Sequence, residues 1–261
     1  MLAGHELGRA GDPPVLFLHG GGQTRFAWDA TLRKVADAGW RAAALDLRGH
    51  GESEWAPDGD YLLETLATDV AAYAETAPEP PVLVGASLGG LSSLCYASTS
   101  GARVRALVLV DVTIALERSG SQRIRDFMLG HPDGFSSLEE AASAVTAYSD
   151  GRHRAARPAG LLKNLRLGPD GRYRWHWDPQ VLNGPMTPSP LDRQADLEEH
   201  ARRISVPVLL VRGVMSDVVS ERGVEHLRGV LPQAEVANVA GDQNDRFASE
   251  ILRFLRTLDN R

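Results

Sequence analysis

The chain has 261 residues, 43% hydrophobic and 24% charged, with no internal repeat or low-complexity segment; this excludes a disordered or fibrous protein and fits one large domain, or one domain with an insertion. Its net charge of −6 argues against nucleic acid as a partner, and no stretch approaches the roughly 18 consecutive apolar residues of a membrane span. The N-terminal stretch lacks a charged segment followed by an apolar one, so the expected location is cytoplasmic, and the single Cys95, in an apolar helical run, is read as a buried, inert thiol.

Four apolar runs read as buried strands: "PVLFLHG" (14–20), "RAAALDLRG" (41–49), "PVLVGAS" (81–87) and "VRALVLVDV" (104–112). Each is continuous in Val, Leu and Ala rather than alternating, as in a parallel sheet covered on both faces. Helix-compatible stretches at 28–39, 64–77 and 89–101 lie between them, and this alternation predicts a doubly wound α/β sheet. The pattern lapses over 113–190, which carries helical segments, Gly and Pro breaks, and the aromatic cluster "RYRWHWDP" (172–179). Basic residues gather at 150–166, where few aromatics interleave, and are read as a solvated face. Strand and helix patterns resume at 206–213, 220–230, 234–241 and 246–258. The expected organisation is a core formed by 1–112 and 191–261, interrupted by an insertion at 113–190.

"GASLGG" (85–90) follows a strand and opens a helix, the setting in which a Gly-x-Ser-x-Gly turn holds a nucleophile. Gly85 and Gly89 leave room for a tight backbone crossing. Ser87 then projects its hydroxyl at a helix N-terminus, where a developing anion is favoured. "HGGGQ" (19–23) ends the neighbouring strand, and its glycines let backbone amides approach a substrate oxygen. The amide of Leu88 with that of Gly21, or else Gly22, can form an oxyanion hole. Both motifs fall at the same sheet edge, where open α/β sheets place their sites.

Together with "DLRGHGES" (46–53) and "VRGVMSDVVS" (212–221), these motifs make the chain resemble an α/β-hydrolase over nearly its whole length. The resemblance implies a mostly parallel central sheet with helices on both faces and an inserted helical cap at 113–190. It also implies Ser87 as nucleophile, Asp217 as the acid of the triad, His19 as a residue that orders the oxyanion loop, and Asp46, Arg48 and His50 as loop-fixing residues. Serine at the elbow counts against the family's epoxide hydrolases and haloalkane dehalogenases. The implied activity is hydrolysis of a small ester, thioester, lactone or related acyl compound, with carbon–carbon bond hydrolysis and perhydrolysis also open. The partner is then a small-molecule acyl substrate. Trp28, Trp175 and Trp177, with Gly22 and His176, are candidates for lining its pocket. The histidines lack ligand spacing, so neither metal nor cofactor is expected.

The family rule places the catalytic histidine after the last strand, yet no histidine follows His226, and the loop there reads "AGDQND" (240–245). Three readings follow. Residues have been deleted or are missing between "VAG" and "DQND"; or the protein has kept the fold as a weak catalyst, a pseudoenzyme or a non-catalytic small-molecule receptor; or another histidine, foremost His176, substitutes. His153, His200 and His226 read as surface residues.

Overall fold

A computed structural model describes residues 1–148, 157–184, 190–240 and 244–259. Its main sheet has seven strands: β1 (Gly4–Leu7), β2 (Pro14–Leu18), β3 (Arg41–Leu45), β4 (Val82–Ala86), β5 (Ala106–Val110), β8 (Val208–Gly213) and β9 (Ala234–Val239). They lie side by side in the order β1-β3-β2-β4-β5-β8-β9. All pairings are parallel except β1 with β3. The predicted α/β-hydrolase architecture is therefore present. The short edge strand β1 escapes the sequence pattern because "GHEL" is polar and mostly exposed.

The apolar runs are continuous because each strand feeds two cores. Leu16, Leu18, Leu83, Leu107 and Leu109 face one side, under α2 (Leu63–Thr76), α3 (Leu88–Ala97), α7 (Gln194–Arg202) and α8 (Glu221–Val230). Val15, Phe17, Val82, Val84 and Val108 face the other, under α1 (Asp29–Asp37) and α9 (Asn244–Asp259). In α9, Ile251, Phe254, Leu255 and Leu258 recur at helical spacing and are buried against this second face. Each fully buried Leu, Ile or Phe contributes about 1.5–3 kcal/mol, so the sheet and its covering helices hold the strand ends rigidly.

Registers bring those ends level. Leu18 pairs with Gly85, Ala86 with Val110, and Val110 with Val211. The residues that follow β2, β4, β5 and β8 therefore emerge along one edge. The strand order reverses between β2 and β4, the crevice where such sheets bind ligands.

Between β5 and β8 the chain forms α4 (Arg118–Leu129), α5 (Leu138–Tyr148), the hairpin β6 (Leu165–Leu167) and β7 (Tyr173–Trp175), and the short α6 (Gln180–Asn183). The hairpin leaves no periodic signal in the sequence because both strands have only three residues. This segment is tied to the 46–53 loop. The Gly51 amide donates to the His176 carbonyl (2.7 Å), the Asp178 amide to the Gly49 carbonyl (2.7 Å), and the Tyr61 hydroxyl to Asp178 (2.6 Å). Of the basic cluster at 150–166, residues 150–156 lie outside the described residues. Among the described residues, no helix is long and apolar enough to cross a membrane.

Candidate active site

Ser87 sits at φ 44°, ψ −115°, and Asp111 at φ 50°; they are the only non-glycine residues with positive φ among the described residues. Such conformations cost about 1–3 kcal/mol and persist where the surroundings over-determine them. At Ser87 the cause is the crossing of β4 and α3. A Cβ on Gly85 would lie 2.4 Å from the Gly89 backbone, and one on Gly89 would lie 2.5 Å from the Leu18 carbonyl oxygen. Only glycine fits at either position, as the motif predicts. The Ser87 amide donates to Val110 (3.3 Å), and the Leu91 amide donates to the Ser87 carbonyl (3.0 Å).

The loop after β2 passes close by, since a Cβ on Gly20 would come within 3.4 Å of the Ser87 Cβ. Its amides divide by duty. That of Gly20 donates to Gln23 Oε1 (3.1 Å), and that of Gly22 to His50 Nε2 (3.2 Å). The Gly89 amide donates to the His19 carbonyl (3.1 Å). The Gly21 amide meets no acceptor among the described residues. Leu88, first residue of α3, has no carbonyl a turn back to receive its amide. Between Gly21 and Gly22, left open by the sequence, the hydrogen bonding thus leaves Gly21 available.

Two buried imidazoles hold this loop. His19 Nδ1–H donates to the Gly20 carbonyl (2.8 Å), and its Nε2 accepts from the Leu47 amide (3.0 Å). His50 Nδ1–H donates to the Arg48 carbonyl (3.1 Å), and its Nε2 accepts from Gly22. Burial pushes the His19 pKa down to about 4 and that of His50 down to about 3, with repulsion from His19 adding to the second. Both are neutral at pH 7. The fully buried Asp46 accepts from the Arg25 amide (2.6 Å), the Glu52 amide (2.9 Å) and the Arg25 guanidinium. Arg48 is bidentate to Asp69 at 2.6 Å on both arms.

Ser87 lies where two cavities meet. One, of about 480 Å³, is walled by Trp28, Phe127, Tyr148, Trp175 and Trp177 and floored by Gly20–Gln23 and Asp111. The other, of about 180 Å³, is lined mainly by aliphatic residues such as Leu63, Leu91, Leu116, Val181 and Leu182, with Arg125 and Arg193 among them. Gly21, Ile124, Met128 and Val218 belong to both, and Leu88 to the second. The three tryptophans and Gly22 therefore fall on the Ser87 cavity. His176 does not: it lines a separate cavity with Arg25, Asp46 and Glu52. His176 lies between Trp175 and Trp177, which both line the larger Ser87 cavity, and in extended chain the residue between them turns to the opposite side. Burial and the Arg166 charge lower its pKa.

Among the described residues, no histidine lines either cavity that contains Ser87. Gly241, Asp242 and Gln243, where the family rule places the base, lie outside the described residues. His226 is partly exposed and bonds Glu198 (2.8 Å). His200, read as a surface residue, is instead half-buried against α3. His153 lies outside the described residues.

The loop after β8 carries two features. Asp217 is about one-third exposed and forms an ion pair with Arg123 of α4. It lines neither Ser87 cavity. Asp111, at the end of β5, lines the larger cavity and accepts from the Gly213 amide (3.2 Å) and the Ser216 hydroxyl (3.0 Å). Burial raises its pKa, while those two hydrogen bonds pull it down. Asp111 was not among the residues expected from the sequence. Its signal was an acid ending the strand next to the serine turn.

Residues 13–242 match the family described as alpha/beta hydrolase fold. The esterase Rv0045c of Mycobacterium tuberculosis is 32% identical over 255 residues, covering 92% of this chain and 82% of that protein. The 3-hydroxybutyrate-oligomer hydrolase of Cupriavidus necator is 32% identical over 87% of this chain and 80% of its own length. A crystal structure of the Rv0045c esterase superposes with a TM-score of 0.73 at 27% identity, covering 100% of this chain and 92% of that one. These relatives support an esterase or related hydrolase function.

Proposed function

Because this chain belongs to the alpha/beta hydrolase fold family, we propose that it is a serine-type acyl hydrolase whose substrate is a small ester, thioester, lactone or related compound. The observation that carries the reading is the strained Ser87 at the junction of two cavities, beside uncommitted amides of Gly21 and Leu88. A scissile carbonyl on Ser87 has two substituents, and two cavities of unequal size and character receive them. The carbonyl oxygen turns toward the Gly21 and Leu88 amides, which stabilise the charge that develops as Ser87 Oγ attacks. The acyl-enzyme then forms as the alcohol or thiol leaves with a proton, and water releases the acid. Asp217 is the acid that orients the base, and Asp111 fastens the loop carrying it. Residues 113–190 act as the cap that walls the site.

The serine proton needs an acceptor. In the serine protease subtilisin, loss of the triad's histidine base costs about 10⁶-fold in kcat. Intrinsic turnover is therefore low, and imidazole supplied in solution takes the base's place. The test is hydrolysis of p-nitrophenyl esters of graded acyl length by the wild type and Ser87→Ala, each with and without imidazole. The expected result is Ser87-dependent hydrolysis that imidazole stimulates beyond its effect on Ser87→Ala. Hydrolysis equal in both proteins would contradict it.

A second reading is a non-catalytic small-molecule receptor, favoured by the lack of a histidine on either cavity among the described residues. It predicts ligand binding in calorimetry with no Ser87-dependent turnover at any imidazole concentration.

A further inference from the structure

Three helices bring Glu64 (α2), Cys95 (α3) and His200 (α7) together so that one ligand atom from each lies within 4.8 Å of the others. No other group of three or more such side chains occurs among the described residues. We propose that this cluster binds a single transition-metal ion of the zinc class, with Cys95 Sγ, His200 Nε2 and a Glu64 carboxylate oxygen as its protein ligands.

The geometry supports it at two levels. Cys95 Sγ and His200 Nε2 are 3.8 Å apart. With Zn–S near 2.3 Å and Zn–N near 2.0 Å, a tetrahedral site needs about 3.5 Å between the two atoms. The imidazole is also preset. When the Ser98 hydroxyl gives its only proton to the Cys95 carbonyl (2.7 Å), it accepts the proton of His200 Nδ1 at 2.7 Å. In that Nδ1–H tautomer the Nε2 lone pair faces the thiol, the outer-shell arrangement typical of metal-bound histidine. Binding displaces the thiol proton to solvent and leaves the fourth position to water.

Both carboxylate oxygens of Glu64 also accept from the Arg193 guanidinium, Oε2 at 2.9 Å, and Arg193 lines the smaller Ser87 cavity. An ion therefore competes with Arg193 for one carboxylate. It would also cross-link α2, α3 and α7, the middle one beginning beside Ser87. Spacing along the chain does not reveal the site, because Glu64, Cys95 and His200 lie far apart in sequence and on different helices.

The experiment is titration of the reduced full-length protein with Co²⁺, followed by displacement with Zn²⁺. One equivalent of cobalt should give the thiolate-to-metal charge-transfer band in the near ultraviolet, and zinc should abolish it. Cys95→Ser and His200→Ala should lose the band while keeping native circular dichroism, and Ser98→Ala should weaken binding by about 10–100-fold. Zinc should raise the Tm of the wild type and slow alkylation of Cys95, with no Tm rise in Cys95→Ser. No band in folded wild type, or a band unchanged in His200→Ala, would overturn the proposal.

Discussion

On the β2 side of Ser87, His19, His50 and Asp46 each hold a defined partner, and the Gly21 amide meets no acceptor among the described residues. On the β5–β8 side, Asp111 and Asp217 are fixed by Ser216 and Arg123, but no histidine among the described residues faces the serine. On the proposed reading, one half of the site serves the developing oxyanion, while the other holds carboxylates that face no imidazole among the described residues. The contrast separates two contributions to catalysis. Charge stabilisation is built by the backbone and survives loss of a side chain, whereas proton transfer depends on one residue at one place.

The largest expected effect repairs the deficient half. Inserting a Gly-His-Met segment between Gly241 and Asp242 should raise kcat on a p-nitrophenyl ester by about 10³-fold or more. Steady-state kinetics checks this, and no gain in a folded variant would show that more than the histidine is missing.

The next prediction strikes the prepared half. His19 and His50 have folded pKa values near 4 and 3, below the ordinary 6.5. The unfolded chain therefore binds more protons between these limits, and stability falls as pH drops below 6.5. At pH 5 each histidine should cost about 2 kcal/mol relative to pH 7. Urea denaturation at the two pH values measures this, and in His50→Asn the loss should shrink by about half. An unchanged midpoint in the wild type would contradict the buried neutral assignment.

Gly89→Ala places a methyl group 2.5 Å from the Leu18 carbonyl oxygen. It should destabilise by about 3 kcal/mol, read as a lower denaturation midpoint. Smallest is Asp217→Asn. Breaking its partly exposed pair with Arg123 should change stability by less than about 1 kcal/mol. If Asp217 is the acid, the variant should nevertheless lose most of the stimulation by imidazole while keeping the basal rate.

The core was legible in the sequence because strands buried on both faces must be continuously apolar, and because Gly85 and Gly89 mark a crossing that admits no side chain. The strained turn at Ser87 followed from the same motif. What escaped had no periodic signal. β1 is a polar edge, β6 and β7 are too short to show a pattern, and Asp111 reads as an ordinary strand end until its φ of 50° and its bond to Ser216 are seen. His176 was misplaced because a cluster of aromatics hides which residues alternate inward. His200 looked superficial among charges because its contacts with Cys95 and Ser98 come from another helix.

The central claim, an intact oxyanion half awaiting a base, is tested most directly by the rate at which a fluorophosphonate adds to Ser87, followed by mass spectrometry with and without imidazole. The account predicts slow labelling at Ser87 that rises with imidazole concentration. Labelling already fast and unaffected by imidazole would mean that the chain supplies its own base. No adduct on folded protein under either condition would mean that Ser87 is not a nucleophile.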